Sequence, residues 1–297
     1  MMALIANAKV ASLYLIILVI FASILALPGR AGSETAQRQR IDLAYNIYLG
    51  GFLAGSVDVT VEADEKQYRI FTVSRSHGVL DFLVKFRRRN NVLGRIAEQV
   101  AKPSKYAATG VWAGEARSVL IDYTEADGLR FTARPSASED EREPVPPHLL
   151  PGTVDPFSAL YQAILRYREG EECDGRSRVF DGRRRYDFLF EAVASRSLTG
   201  PLYSGPAQVC RVRQIPIAGF SERLWLPRLM RPEWTDVWLA KVRDDLPALP
   251  ARLEADAGLG AMVAQLVAIG GRKYPPGEGP PEKARRDDVA SDGNPRR

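Results

Sequence analysis

The chain has 297 residues, of which 45% are hydrophobic and 26% charged, with 24 Gly, 20 Pro, two Cys and two His. That composition excludes a collagen-like or wholly disordered polymer, and so few His and Cys leave no room for a zinc cluster. The net charge of +5 is too small to mark the concentrated basic face of a nucleic-acid binder.

Residues 1–31 read as a secretory leader. Lys9 supplies the positive start, Val10 to Leu27 is uncharged and rich in Leu, Ile and Ala, and Pro28-Gly29-Arg30-Ala31 breaks the run with small residues at a cleavage site. Retention of the same run as a membrane anchor is the alternative, since its length approaches that of the shortest spanning helices. No Cys follows the run, which excludes lipid modification there. Loss of Lys9 and Arg30 with the leader leaves 39 basic residues against 36 acidic.

Residues 32–40 are polar and read as a flexible lead-in to one β-rich domain over 41–270. From Ile41 onward the dominant period is two, the pattern of strands with one buried face. Leu43, Tyr45, Ile47 and Leu49 alternate with polar or small residues, and Gly50-Gly51 marks a turn. Val57, Val59, Val61 and Ala63 alternate with Asp58, Thr60 and Glu62, and Ala63 to Lys66 turns into a strand over Gln67–Ser74. Val79, Leu80, Leu83 and Phe86 have helical spacing and predict a short amphipathic helix. Strands follow near Asn91–Val100, Ala107–Trp112, Ser118–Glu125 and Leu129–Ala133.

Ser136–Pro147 is acidic and Pro-rich and reads as an exposed connection. A helix over about 155–169 then begins with Asp155 as N-cap and Pro156 in the first helical position. Phe157, Leu160, Tyr161, Ile164 and Leu165 form its apolar face. Strands resume at Arg178–Asp181, Tyr186–Ala192, Val209–Ile215, Trp234–Lys241 and Ala251–Asp256. Leu259–Ile269 is strand-like, but a helix also fits its apolar residues. The tail from 271 is charged and rich in Pro and Gly, a disordered composition. The pattern predicts a mainly β fold: a strongly curved antiparallel sheet or open barrel with one amphipathic helix packed on it.

Cys173 and Cys210 stand 37 positions apart with no competing thiol, so export predicts a disulfide between them.

Several stretches together resemble a known family. They are Tyr45-Asn46-Ile47-Tyr48-Leu49-Gly50-Gly51 followed by Ala54-Gly55, Ala101-Lys102-Pro103-Ser104-Lys105-Tyr106, and Gly152-Thr153-Val154-Asp155-Pro156. Phe180-Asp181-Gly182-Arg183-Arg184, Cys210-Arg211-Val212 and Ile217-Ala218-Gly219 complete the set. In their order and spacing the chain, over about residues 40–270, resembles the bacterial envelope proteins grouped as domain of unknown function 3108. The resemblance implies export to the periplasm of a Gram-negative cell and a β-rich fold. It implies no reaction, so no catalytic residue is carried over.

The residues themselves offer four kinds of candidate. Asp155 and Asp181, with Asp187, are carboxylates that a cell-wall hydrolase could pair as acid and base; the competing reading gives Asp155 to the helix cap and Asp181-Gly182 to a hairpin turn. Ser76-His77 and His148 supply the imidazoles, without the G-x-S-x-G elbow of a nucleophilic serine. No P-loop, dinucleotide fingerprint or paired metal spacing occurs, so no cofactor or metal is implied.

Arg87, Arg88, Arg89 and Arg183, Arg184, Arg185 could clamp anionic headgroups of envelope lipids, or simply be solvated strand ends. Phe188, Phe190, Trp225, Trp234 and Trp238 could line a cavity for an apolar ligand, or pack a core. The leading expectation is an exported, non-enzymatic binding or envelope-assembly protein with a lipid or envelope component as partner. A hydrolase and a purely structural role are the alternatives.

Overall fold

The computed structural model describes residues 38–124, 128–138, 142–168, 172–220, 233–256 and 260–270. Its first half runs β1 (Gln39–Leu49), β2 (Phe52–Ala63), β3 (Gln67–Ser76), α1 (Gly78–Val84), β4 (Arg87–Ala97), β5 (Val100–Trp112), β6 (Glu115–Tyr123) and β7 (Leu129–Arg134). A short 3₁₀ turn (Pro147–Leu149) precedes α2 (Pro156–Arg168). Then come β8 (Gly175–Phe180), β9 (Arg185–Thr199), β10 (Ser204–Ala218), β11 (Thr235–Ala240), β12 (Leu249–Asp256) and β13 (Ala261–Ile269).

The strands form one 13-stranded sheet in the order β7-β6-β5-β4-β3-β2-β1-β13-β12-β11-β10-β9-β8. Every neighbouring pair is antiparallel. Sequence neighbours pair within each half, β3 with β4 across α1. β1 closes against β13, and β7 and β8 are left as edges because the chain between them carries α2 instead of a hairpin. The mainly β expectation with one long helix holds, and Ala261–Ile269 is a strand.

The sheet curls so that one face is interior. Along β2, Val57, Val59, Val61 and Ala63 are buried in the core while Asp58, Thr60 and Glu62 point outward, the period-two rule in its plain form. Tyr45, Tyr68, Tyr106, Tyr161, Tyr186, Phe180 and Phe188 are the largest fully buried side chains. α2 enters the curl. Its Tyr161 ring lies 4.7 Å from Tyr68 of β3, and Phe157 lies 6.0 Å from Tyr106 of β5. Gln162 Oε1 accepts the Ala101 N–H at 2.6 Å. The helix also packs on β8, so it touches strands from both ends of the sheet order and fills the space between them.

Some boundaries differ from expectation for local reasons. β4 begins at Arg87 and stops at Ala97, because Glu98 and Gln99 adopt positive φ of 52° and 62° and turn the chain into β5. A two-residue hairpin with both central residues left-handed matches the strand twist, and Val100 therefore opens the next strand. The stretch 136–147 is not wholly exposed, since Val145 is buried against the core. The leader and the tail lie outside the described residues.

Cys173 and Cys210 form a disulfide with Cα atoms 5.7 Å apart. Cys210 is on β10 opposite Ala192 of β9, and Cys173 lies just before β8. The bond ties the edge of the sheet to its third strand in.

Candidate functional site

The three candidate carboxylates all have partners within the chain. Asp155 is fully buried at the start of α2. Its Oδ1 accepts the Phe157 and Ser158 N–H groups at 3.0 Å, and its Oδ2 accepts the Ser158 hydroxyl at 2.5 Å. Ser158 Oγ in turn lies 2.7 Å from Tyr68 OH on β3. Burial pushes the Asp155 pKa up from 3.8 to about 6, against the opposing pull of the Ser158 and Phe157 donors. The residue is an N-cap whose hydroxyl neighbour also fastens the helix to the sheet.

Asp181 closes the β8–β9 turn, accepting the Arg183 and Arg184 N–H groups at 2.9 and 2.7 Å and the Arg184 Nε at 3.0 Å. Burial works to raise its pKa, but the Arg184 charge and these backbone donors outweigh burial and hold it below 3.8. Asp187, also buried, accepts Arg185 at 2.6 Å and Arg176 Nε at 2.8 Å. There too burial opposes and the two guanidiniums win, so its pKa is lowered. Capping, turn closure and ion pairing occupy these carboxylates, and each is 2% exposed or less.

The imidazole partners also differ from the sequence pairing. His77 Nε2 lies 2.8 Å from Ser56 Oγ on β2, while Ser76 donates to Asp81 Oδ1 at 2.6 Å. The His77 N–H donates to Ala54 O at 2.9 Å, so the pair fastens the start of α1 to β2. Among the described residues no group of three His, Cys, Asp or Glu gathers as metal ligands do.

The arginines divide. Arg87 and Arg89 are exposed on the outer face, whereas Arg88 points inward and donates to Asn90 Oδ1 at 2.8 Å and Tyr106 OH at 2.9 Å. Arg183 reaches across to β7, donating to the carbonyls of Arg134, of Pro135 at 2.9 Å and of Ser118 on β6 at 3.4 Å. Arg184 and Arg185 hold Asp181 and Asp187. The second triplet is therefore internal bracing of the sheet's open side.

The aromatic set also divides. Phe188 and Phe190 are in the interior, edge-to-face with each other at 6.1 Å. Trp238 packs on the opposite face beside Leu198, Ala207, Ala240 and Ala251. Trp234 is stacked under Arg211 at 4.7 Å, and Arg211 makes a fork on Asp236 at 2.7 and 2.9 Å. Trp225 lies outside the described residues. The structure does not bring the four described side chains to one lining.

A cavity occurs instead where the sheet stays open. Phe131 on β7 meets Phe180 on β8 edge-to-face at 4.8 Å. Around them a space of about 150 Å³ is bounded by Ala133, Val145, Pro144, Gly182 and Arg183. The turn fits because residue 182 is glycine. Its φ is +86°, and a Cβ there would stand 2.2 Å from Val119 of β6. Arg142, on the same wall, has its pKa lowered to about 10, first by burial and then by the charge of Arg184. None of the apolar lining residues was a candidate for a ligand site in the sequence, although Phe180 stands in a stretch that carries the resemblance. They come from β7, the connection and β8, and only the register of the folded sheet joins them.

A family model described as "Protein of unknown function (DUF3108)" matches residues 44–267. No curated protein matches. Several solved structures are similar, among them three of low identity. A β-barrel-like protein of domain of unknown function DUF1849 from Brucella abortus is 10% identical, with 77% of this chain and 96% of that one covered and a TM-score of 0.45. A protein from Bacteroides fragilis described as exported, with a YmcC-like fold, is 12% identical, with 84% and 100% covered and a TM-score of 0.29. A protein from Parabacteroides distasonis described as a lipoprotein is 10% identical, with 79% and 96% covered and a TM-score of 0.31.

Proposed function

This chain belongs to the family described as Protein of unknown function (DUF3108), and from that premise we propose that it is an exported envelope protein that binds rather than transforms its partner. Its ligand group is a short alkyl or aromatic moiety taken at the seam between β7 and β8. The observation that carries the reading is the cavity of about 150 Å³ at that seam, walled by Phe131, Phe180, Ala133 and Val145. A mainly apolar space of this order has room for a single ring or a few methylenes, which is part of a lipid and not the whole of one.

Two further features support it. The interior of the curl is filled by tyrosines, phenylalanines and α2, which leaves the seam for an apolar guest. The leader over 1–31 and the disulfide between Cys173 and Cys210 suit an oxidising compartment outside the cytoplasm.

The test is calorimetric titration with dodecanoate of the wild type and of Ala133→Trp, which fills the cavity from its wall. Heat of binding in the wild type and its loss in a variant with an unchanged melting temperature are expected. Absence of binding in the wild type, or equal binding by both, would overturn the reading.

A further inference from the structure

We propose that the end of the sheet carrying α1 docks on an anionic bilayer surface, using Phe52, Leu53 and Phe82 as apolar tips. This surface is separate from the seam cavity. Phe52 is 81% exposed and Phe82 is 84% exposed, while Leu53 is 45% exposed. Large side chains this bare are uncommon when they stand together.

All three belong to the same end of the sheet. Phe52 and Leu53 open β2 directly after the Gly50-Gly51 turn. α1 begins against them, with the His77 N–H on Ala54 O at 2.9 Å and Gly78 packed over Leu53 O. Ser56 and His77, 2.8 Å apart, fasten the same joint. Phe82 follows one turn later on the helix. The chain then reverses at Lys85, in the left-handed region with φ 43°, and enters β4.

That reversal sets cations beside the tips. Lys85, Arg87 and Arg89 are exposed, and Arg75 on β3 pairs directly with Arg87 on β4. Asp58 offsets Arg75 at 3.8 Å, which leaves Lys85, Arg87 and Arg89 as the exposed cations, and Asp81 accepts the Ser76 hydroxyl at 2.6 Å. Exposed aromatic tips flanked by lysine and arginine are the pattern of a surface that sinks its apolar side chains to the headgroup boundary and sets its cations among anionic lipids. Charge complementarity therefore selects an anionic membrane over a neutral one.

Flotation with vesicles tests this, using protein purified after expression of the full chain. Vesicles of phosphatidylethanolamine with phosphatidylglycerol are compared with vesicles of phosphatidylcholine alone. The wild type is expected to float with the anionic vesicles, and binding is expected to weaken as salt is raised. Phe52→Ser and Phe82→Ser should each lower partitioning roughly tenfold, and Arg87→Glu with Arg89→Glu should remove the preference for anionic lipid. All four positions are exposed, so these variants keep the fold, which circular dichroism verifies. Equal flotation of wild type and the two serine variants would overturn the proposal. So would a dimer in solution that these variants dissociate while vesicle binding is absent, since the surface would then belong to a second copy of the chain.

Discussion

Replacing Gly94 with alanine tests how the helix is held inside the sheet. Gly94 on β4 is directly opposite Tyr68 on β3, and the Tyr68 ring lies across it. A Cβ at position 94 would stand 2.2 Å from Tyr68 Cζ and 2.4 Å from its Cε1 and hydroxyl. The ring has nowhere to retreat, since Tyr68 is 2% exposed, Tyr161 faces it at 4.7 Å and its hydroxyl is held by Ser158. Overpacking of this kind costs about 1–3 kcal/mol, and the displaced hydroxyl forfeits a bond worth about 1 kcal/mol. The variant should therefore lose about 2–4 kcal/mol in urea unfolding followed by circular dichroism. The same substitution made in a Tyr68→Ala background should be nearly neutral, because the clash has gone. An equal loss in both backgrounds would refute the reasoning, placing the cost in the backbone of β4 and not in the ring.

Three other outcomes follow from the buried network and the disulfide. Asp155 has a folded pKa of about 6 against an ordinary 3.8, so its contribution to stability is fully present below about pH 4 and is lost as pH rises to about 6, a fall of about 3 kcal/mol. Asp155→Asn keeps the cap but should flatten the melting-temperature profile between pH 4 and 6. Asp181 and Asp187 have lowered pKa values, so their contribution is present above pH 3.8 and lost as pH falls below it. A scan of Asp155→Asn to lower pH should still show that acid loss. Cys173→Ser and Cys210→Ser should each cost about 4 kcal/mol under oxidising conditions, and unequal values would show that one sulfur carries a separate packing role.

Much of the architecture was legible because burial repeats every second residue wherever one face is wet. The β2 alternation from Val57 to Ala63 is the clearest case, and the Asp155-Pro156 start of α2 and the Asp181-Gly182 turn follow from capping and turn chemistry alone. The disulfide was legible because the two thiols had no competitors. The candidate site was not legible, and for a specific reason. Phe188 and Trp238 look alike as strand aromatics, but their faces are set by the parity of two strands and by the β-bulges in the pairings of β9 with β10 and β11 with β12. The interior received the first and the outer face the second. Arg88 separates from Arg87 and Arg89 by the same alternation. The seam cavity needs Phe131, Val145 and Phe180 at once, and no local pattern links residues that distant. Ser56 and His77 meet because the pairing of β2 with β3 sets Ser76 opposite Gly55.

The open seam is proposed to hold an apolar group. Native mass spectrometry of the protein purified from the cell envelope in detergent-free buffer addresses it most directly. A bound mass in the wild type that is absent from Ala133→Trp is the predicted result. An unliganded mass for both, with no adduct when dodecanoate is added, would contradict it.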